Sequence, residues 1–365
     1  MSQQALFWMA FTCVNGLGPI RIRHLRSQFD RMEDAWFASP DDLRSAGLPA
    51  NAVDHLVMLQ HKLDPASLME NVRAADAWVL TLEDDGYPSL LREIINAPVV
   101  LYGRGGLLPE DNRSVAMVGT RRASGYGKEM TKQLAGSLAS AGITVISGLA
   151  AGIDAASHRG ALDAGGRSIA VLGSGIDVIY PSQHRELARS MEQAGAIITE
   201  YPPGTKPERG NFPMRNRIIS GMTLGTVIVE APERSGSLLT AELAGEQGRE
   251  VFAVPGNANS PNSRGCNLLI QDGARLVLSA EDILQELDLA HRASSTRQAV
   301  KRVAPANRLE ETILHELATE PLHVDELSRA CALSVQTINA TLTLMELKGL
   351  VFQTAPMTYH VAQAV

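Results

Sequence analysis

Cysteine is scarce. Three occur in 365 residues, Cys13, Cys266 and Cys331, far apart and without a C-x-x-C. This excludes a disulfide framework and a zinc knuckle, and it fits a reducing cytoplasm. Long hydrophobic runs are also missing. No apolar stretch reaches the ~18 residues a membrane helix needs, and the opening MSQQALFWMAFTCVNG has no basic stretch ahead of its apolar residues. The expectation is a cytoplasmic chain, neither exported nor membrane-spanning. A general excess of basic residues is absent too, since the net charge is −7. The charge is unevenly spread, however: residues 100–265 hold 17 Lys and Arg against 15 Asp and Glu, so the segment is +2 and the remainder −9. A nucleic-acid site would have to be a local groove rather than a whole face. No G-x-x-x-x-G-K-[ST] loop, nucleophile–base pair or metal cluster is visible, so no cofactor or metal is expected.

At a soft prior of ~150 residues per domain the chain should hold two or three domains. Residues 1–72 read as helical around two glycine-marked turns, NGLGPIRIRHLRSQF and LRSAGLPANAVDHLVML. These are similar to tandem helix-hairpin-helix units. Two readings stand: a helical domain packed on its neighbour, or turns that receive a DNA phosphate near Arg21, Arg23 and Arg26. Over 73–288 the pattern becomes short β-branched runs alternating with helical stretches: SVAMVG, ITVISG, SIAVLG, AIITEY, TVIVEA, EVFAVPG and ARLVLS. Continuous apolar strands between helices imply an α/β, Rossmann-like doubly wound parallel sheet, with ligands expected beyond the strand carboxyl ends. Residues 289–307 read as a linker. Residues 308–365 read as three helices and a two-stranded wing, a winged helix by pattern. The exposed positions expected on its third helix, Gln336, Asn339, Thr341 and Thr343, carry no Arg, and Lys348 lies at its far end, which serves a phosphate backbone poorly.

The chemistry should lie at the strand ends. VAMVGTRRASGYGKEM is not a dinucleotide fingerprint, because Gly119, Gly125 and Gly127 do not make G-x-G-x-x-G. It is a short loop in which Gly119 permits close backbone approach, Thr120 offers a hydroxyl and Arg121 a phosphate fork. ITVISGLAAGIDAASHRGAL places Ser147 and Gly148 at the next strand end. Its Asp154 and His158, four apart, could suggest a metal pair. No third ligand accompanies them, so an N-terminal acid and a satisfied histidine are the better reading. Gly173, Ser174 and Gly175 repeat the small-residue theme, and Gly236 and Ser237 open a further helix. Several anion-accepting ends along one sheet edge suit an extended polyanion. GNFPMRNRIISGM fits the same purpose: Arg209, Arg215 and Arg217 could take successive phosphates beside Asn216, while Phe212 stacks on unpaired bases.

Taken together, GTRRAS, SGLAAGIDAASHRGAL, LGSGIDVIYP, NFPMRNRIISGM, VIVEAPERSGSLLTAELAGEQGREVFAVPG and CNLLIQDGA resemble the DNA-processing protein A (DprA, also called Smf) family in order, spacing and identity. The resemblance spans roughly residues 80–280, with the upstream LEDDGYPSLLREIINAPVVLYGRG similar as well. It implies a non-enzymatic mediator that binds single-stranded DNA, shields it, and loads RecA in the presence of single-strand-binding protein during natural transformation, working as a homodimer through its core. By motif it assigns Gly119, Thr120 and Arg121 to a first phosphate loop, Ser147 and Gly148 to a second, and Arg209 and Phe212 to phosphate and base. Arg209 departs from the lysine of the family pattern. Leu268, Leu269, Ile270 and Leu276, around the turn in CNLLIQDGARLV, are the candidate dimer patch.

Two rivals remain open at this point. A Rossmann-type nucleotide phosphoribohydrolase of the lysine-decarboxylase-like group would use a helix Glu such as Glu242, though the P-G-G-x-G-T turn is missing. A duplex-binding regulator would use the terminal domain.

Overall fold

The computed structural model describes residues 4–287, 308–317, 322–331, 333–347, 350–355 and 357–361. The chain divides into two compact units, 1–290 and 291–365. The expected linker, 289–307, and Lys348 lie outside the described residues.

The first unit opens with six helices: α1 (Gln4–Thr12), α2 (Pro19–Gln28), α3 (Met32–Trp36), α4 (Pro40–Ser45), α5 (Ala50–Gln60) and α6 (Pro65–Ala74). Both expected turns contain a glycine in the left-handed region, which side-chain-bearing residues rarely adopt, Gly16 at φ +83° and Gly47 at φ +86°. Trp8, Phe11 and Trp36 are buried, with Phe11 edge-on to Trp36 at 5.4 Å. Their core continues without a break into Val79, Val100, Tyr102 and Ala170 of the sheet. The arginines near the first turn are engaged within the protein. Arg21 donates to Gly16 O, Arg23 to Ile94 O and Ile95 O, and Arg26 pairs with Glu83. This favours the packing reading of the hairpin over phosphate binding.

After them come β1 (Trp78–Thr81), α7 (Ser89–Glu93), β2 (Val100–Gly105), β3 (Ser114–Val118), α8 (Gly125–Ser140), β4 (Thr144–Ser147), α9 (Ile153–Asp163) and β5 (Ser168–Val171). The unit continues through α10 (Arg185–Ala194), β6 (Gly195–Thr199), α11 (Asn211–Gly221), β7 (Gly225–Ile228), α12 (Gly236–Glu246), β8 (Glu250–Ala253), α13 (Arg264–Gln271), β9 (Arg275–Leu276) and α14 (Ala280–Glu286). The nine strands form one sheet in the order β1-β2-β6-β5-β4-β3-β7-β8-β9. From β6 to β9 every pairing is parallel. The doubly wound parallel core is as expected; beyond it, at one edge, β1–β2 and β2–β6 are antiparallel.

Alternation along each strand sends side chains to two cores. In β3, Val115 and Met117 join Leu134, Leu138 and Ile283 from α8 and α14. Ala116 and Val118 join Ile218, Ala241 and Cys266 from α11, α12 and α13. The chain runs outward from β3 in both directions, through β4–β5–β6 on one side and β7–β8–β9 on the other. The carboxyl end of β3 is therefore the topological switch point, where such sheets open a crevice. At the far edge Leu268 and Leu276 are exposed, while Leu269 and Ile270 pack partly against the core.

The second unit comprises α15 (Arg308–Glu316), β10 (Leu322–His323), α16 (Val324–Ala330), α17 (Val335–Leu347), β11 (Val351–Ala355) and β12 (Thr358–Val361), with sheet order β10-β12-β11. It is a winged helix with its own core of Ile313, Leu327, Ile338, Leu342 and Val351. On α17, Gln336 and Thr343 are exposed and Asn339 is half-buried. Thr341 is not exposed as expected. It is buried and donates to Thr337 O at 2.8 Å, the usual recourse of a hydroxyl inside a helix.

His158 is a structural group, as its lone position suggested. Its Nε2 accepts from Leu149 N at 3.3 Å and its Nδ1 donates to Ser168 Oγ at 2.8 Å, which in turn donates to Val145 O. Burial, with His184 and Arg215 nearby, pushes its pKa down to about 3. The unfolded chain would take up a proton near pH 6.5 that the fold refuses until about pH 3. Its contribution to stability is thus complete above that higher value and falls as pH drops between the two. Thermal melts of wild type and His158→Gln should show the gap between them narrowing from pH 7 to pH 4. A gap independent of pH would contradict the neutral, buried assignment.

Candidate nucleic-acid interface

Two buried residues position the loop after β3. Thr120 N donates to Glu230 O at 2.7 Å, and Thr120 Oγ1 accepts from Arg122 N. The Glu230 carboxylate, at the end of β7, takes Ser124 N at 2.9 Å and Ser124 Oγ at 2.6 Å, which fixes the start of α8. A Cβ on Gly119 would lie 2.6 Å from Ile153 and 2.7 Å from Glu230 O, so no larger residue fits the turn. The framework leaves Arg121 exposed at the rim.

The loop after β4 is drawn inward. Ser147 Oγ donates to Met117 O at 2.6 Å, and Gly148 N and Ala150 N both donate to Asp154 Oδ2. Leu149, buried, sits at φ +58° with its N–H on His158 and its carbonyl accepting from His184 Nδ1. Holding a leucine there costs free energy that these bonds offset. Ser147 and Gly148 thus serve the framework, and the expectation that they face a phosphate is corrected.

The larger correction concerns α11. Arg215 is buried and donates to Gly148 O at 2.8 Å and to Val171 O, joining the ends of β4 and β5. A Cβ on Gly148 would fall 2.5 Å from this guanidinium. Burial lowers the Arg215 pKa to about 10, so it stays cationic at neutral pH; burial also raises the Asp154 carboxyl above its usual range. Arg217 is equally committed. Its two Nη atoms each lie 2.6 Å from a Glu200 carboxylate oxygen, and its Nε donates to Asn96 O. Neither guanidinium is free for successive phosphates. The reason is helical phase: Arg215 precedes Ile218 by three and Ile219 by four, which puts it on the inward face.

Phe212 and Arg209 differ from the two buried arginines in reaching the surface. Phe212 is half-buried against Gly173, where a Cβ would come within 2.9 Å of its ring. The Arg121 guanidinium lies 5.3 Å over its centroid, and the Tyr180 ring is 5.6 Å away with a 45° tilt. Arg209 is exposed just before the helix. Asn216 reaches Gly236 O at 3.4 Å, and Ser235 caps α12 by accepting from Ser237 N.

These elements enclose a cleft of about 780 Å³ at the switch point. Gly119, Arg121, Arg209, Phe212, Asn216, Gly236 and Ser237 line it, with Arg215 and Asp154 at its floor. Thr120, Ser147 and Arg217 lie behind the lining, and Gly148 faces a smaller adjoining pocket. Sequence reasoning missed Tyr180 and Ser235 in the lining. An aromatic directly after the LGSGIDVI turn, and a Ser two before the helix-opening Ser237, were the available signals. Glu242 is exposed on α12 and is not part of the lining. Among the described residues no group of three or more His, Cys, Asp or Glu could hold a metal, and no helix is long and apolar enough to cross a membrane.

Residues 78–288 match the family model of DNA recombination-mediator protein A, and 297–355 match that of the DprA winged helix domain. Protein Smf of Synechocystis sp. is 35% identical over 98% of this chain and 99% of its own. The DNA processing protein DprA of Bacillus subtilis is 45% identical over 55% of this chain and 68% of its own. Among solved structures, DprA of Streptococcus pneumoniae superposes with a TM-score of 0.69 at 36% identity, covering 77% of this chain and 97% of that one. DNA processing protein A of Helicobacter pylori, described for its single-stranded DNA binding mode, gives a TM-score of 0.53 at 29% identity over 58% of this chain and 97% of that one. With both family models and a relative 35% identical along nearly the whole chain in agreement, the chain belongs to the DNA recombination-mediator protein A (DprA/Smf) family.

Proposed function

We propose that the cleft binds single-stranded DNA, and that the protein shields such strands and loads RecA onto them, alongside single-strand-binding protein, during DNA uptake and recombination. One observation carries this reading: two exposed guanidiniums, Arg121 and Arg209, flank a partly exposed Phe212 at the sheet's switch point. Cations that reach phosphates beside a ring that reaches bases are what unpaired nucleic acid needs. A duplex keeps its bases stacked and paired, out of reach of such a ring. The relative from Helicobacter pylori described for its single-stranded DNA binding mode supports the same reading. In this account Gly119 and the exposed Gly236 admit the backbone closely, Arg121 and Arg209 hold phosphates, and Arg215 adds charge from below without touching the strand.

Binding of an oligonucleotide and of a duplex of equal length, followed by anisotropy, tests the reading. Tight single-strand preference is expected, with Arg121→Ala weakening it by ~1–3 kcal/mol, the usual loss for a charge-assisted contact, and the melting temperature kept. Absence of DNA binding, with release of a base from a nucleoside monophosphate, would instead favour a phosphoribohydrolase.

The protein works as a homodimer in this proposal, through the edge of the core beyond β8. Leu268 and Leu276 are exposed there, and so is Leu278, which the sequence patch omitted. Because Ile270 packs partly into the core, the informative variants are Leu268→Glu and Leu276→Arg. Light scattering should report monomers with an unchanged melt; dimers that persist in both variants would exclude this edge.

A further inference from the structure

We propose that Tyr180 is a second base-stacking residue of the cleft, one that restricts it to unpaired strands; the inference rests on the single-strand reading above. Tyr180 stands at the end of the turn after β5 and lines both the main cleft and the smaller pocket beside it. It is 46% exposed, whereas Phe212 is only partly exposed, with Gly173 against its ring and Arg121 over it. A tyrosine present only to cover Phe212 would bury its own ring. This one keeps nearly half its surface open, and its hydroxyl has no hydrogen-bond partner among the described residues.

Geometry limits what the pair can do. A base inserted between two parallel rings needs them about 7 Å apart, twice the ~3.4 Å stacking distance. Tyr180 and Phe212 are 5.6 Å apart and inclined by 45°, so no base enters between them. Each ring offers its open surface to a different base. Two neighbouring bases stacked on planes inclined by 45° cannot remain stacked on one another, so the strand must splay at this step. A single strand splays at little cost, while a duplex must first break pairs and stacking. Tyr180 thus contributes to selectivity as well as affinity.

The test uses the full chain and two probes of equal length, oligo-dT and an abasic oligonucleotide with the same phosphates. Tyr180→Ala should lower oligo-dT affinity roughly ten-fold, within the range for losing one base–aromatic stack. Tyr180→Phe should recover it, and Tyr180→Leu, which keeps an apolar cover on Phe212, should not. On the abasic probe the alanine variant should match wild type. Equal losses on both probes, or a phenylalanine variant as weak as alanine, would overturn the inference by pointing to a structural or hydroxyl role. So would an alanine variant that binds oligo-dT as wild type does, and that result would leave the single-strand reading standing. A wild type that binds neither probe would overturn both.

Discussion

The architecture of the cleft depends on one buried cation. The guanidinium of Arg215 bridges the carbonyls of Gly148 and Val171, and so holds the ends of two adjacent strands together where parallel pairing has run out. Those carbonyls have no further strand to bond, and an unpaired buried carbonyl costs free energy. Asp154 meets the opposite need, accepting from Gly148 N and Ala150 N. Acceptors and donors at the β4 end are thereby both met, by side chains of opposite charge from two different helices. Bringing two charges into the interior is costly, as the raised pKa of Asp154 and the lowered pKa of Arg215 both show. What is gained is a rigid floor beneath a solvent-open cleft.

Function and framework therefore use the same residue type differently. Arg217 is bound by Glu200 and Asn96, Arg215 by strand carbonyls, and Arg23 by the carbonyls of residues 94 and 95. The carbonyls of residues 94–96 are held from both sides, by Arg23 of α2 and Arg217 of α11, which ties the helical region to the helix bearing Phe212. Arg121 and Arg209, in contrast, are left to solvent. A chain with a net charge of −7 thus presents a small local cationic rim at the cleft while Arg215 and Arg217, on the helix beside it, are buried in the framework.

Much of the architecture was legible because the strands are nearly continuous apolar runs closed by small residues, as in SVAMVG and ITVISG, and buried parallel strands leave that trace. The antiparallel edge was not, since β1 and β2 are separated by a loop and a one-turn helix rather than a hairpin signal. In the site, the exposure of Arg121 and Arg209 could be read from their places in polar loops. Arg215 and Arg217 could not be read from charge alone; for Arg215 the periodicity of Ile218 and Ile219 was the clue to its direction. Glu230 escaped because a carboxylate that caps backbone amides from a distant part of the chain leaves no spacing in sequence.

The division of arginines into framework and rim is the central claim, and the salt dependence of oligo-dT binding tests it most directly, because only groups that neutralise a phosphate release counterions. Plots of log affinity against log salt concentration are needed for wild type, Arg121→Ala, Arg209→Ala and Arg217→Ala. The account predicts that the first two substitutions each flatten the slope by about one unit, while Arg217→Ala alters stability and keeps the wild-type slope. Unchanged slopes in Arg121→Ala and Arg209→Ala, or a flattened slope in Arg217→Ala, would contradict it.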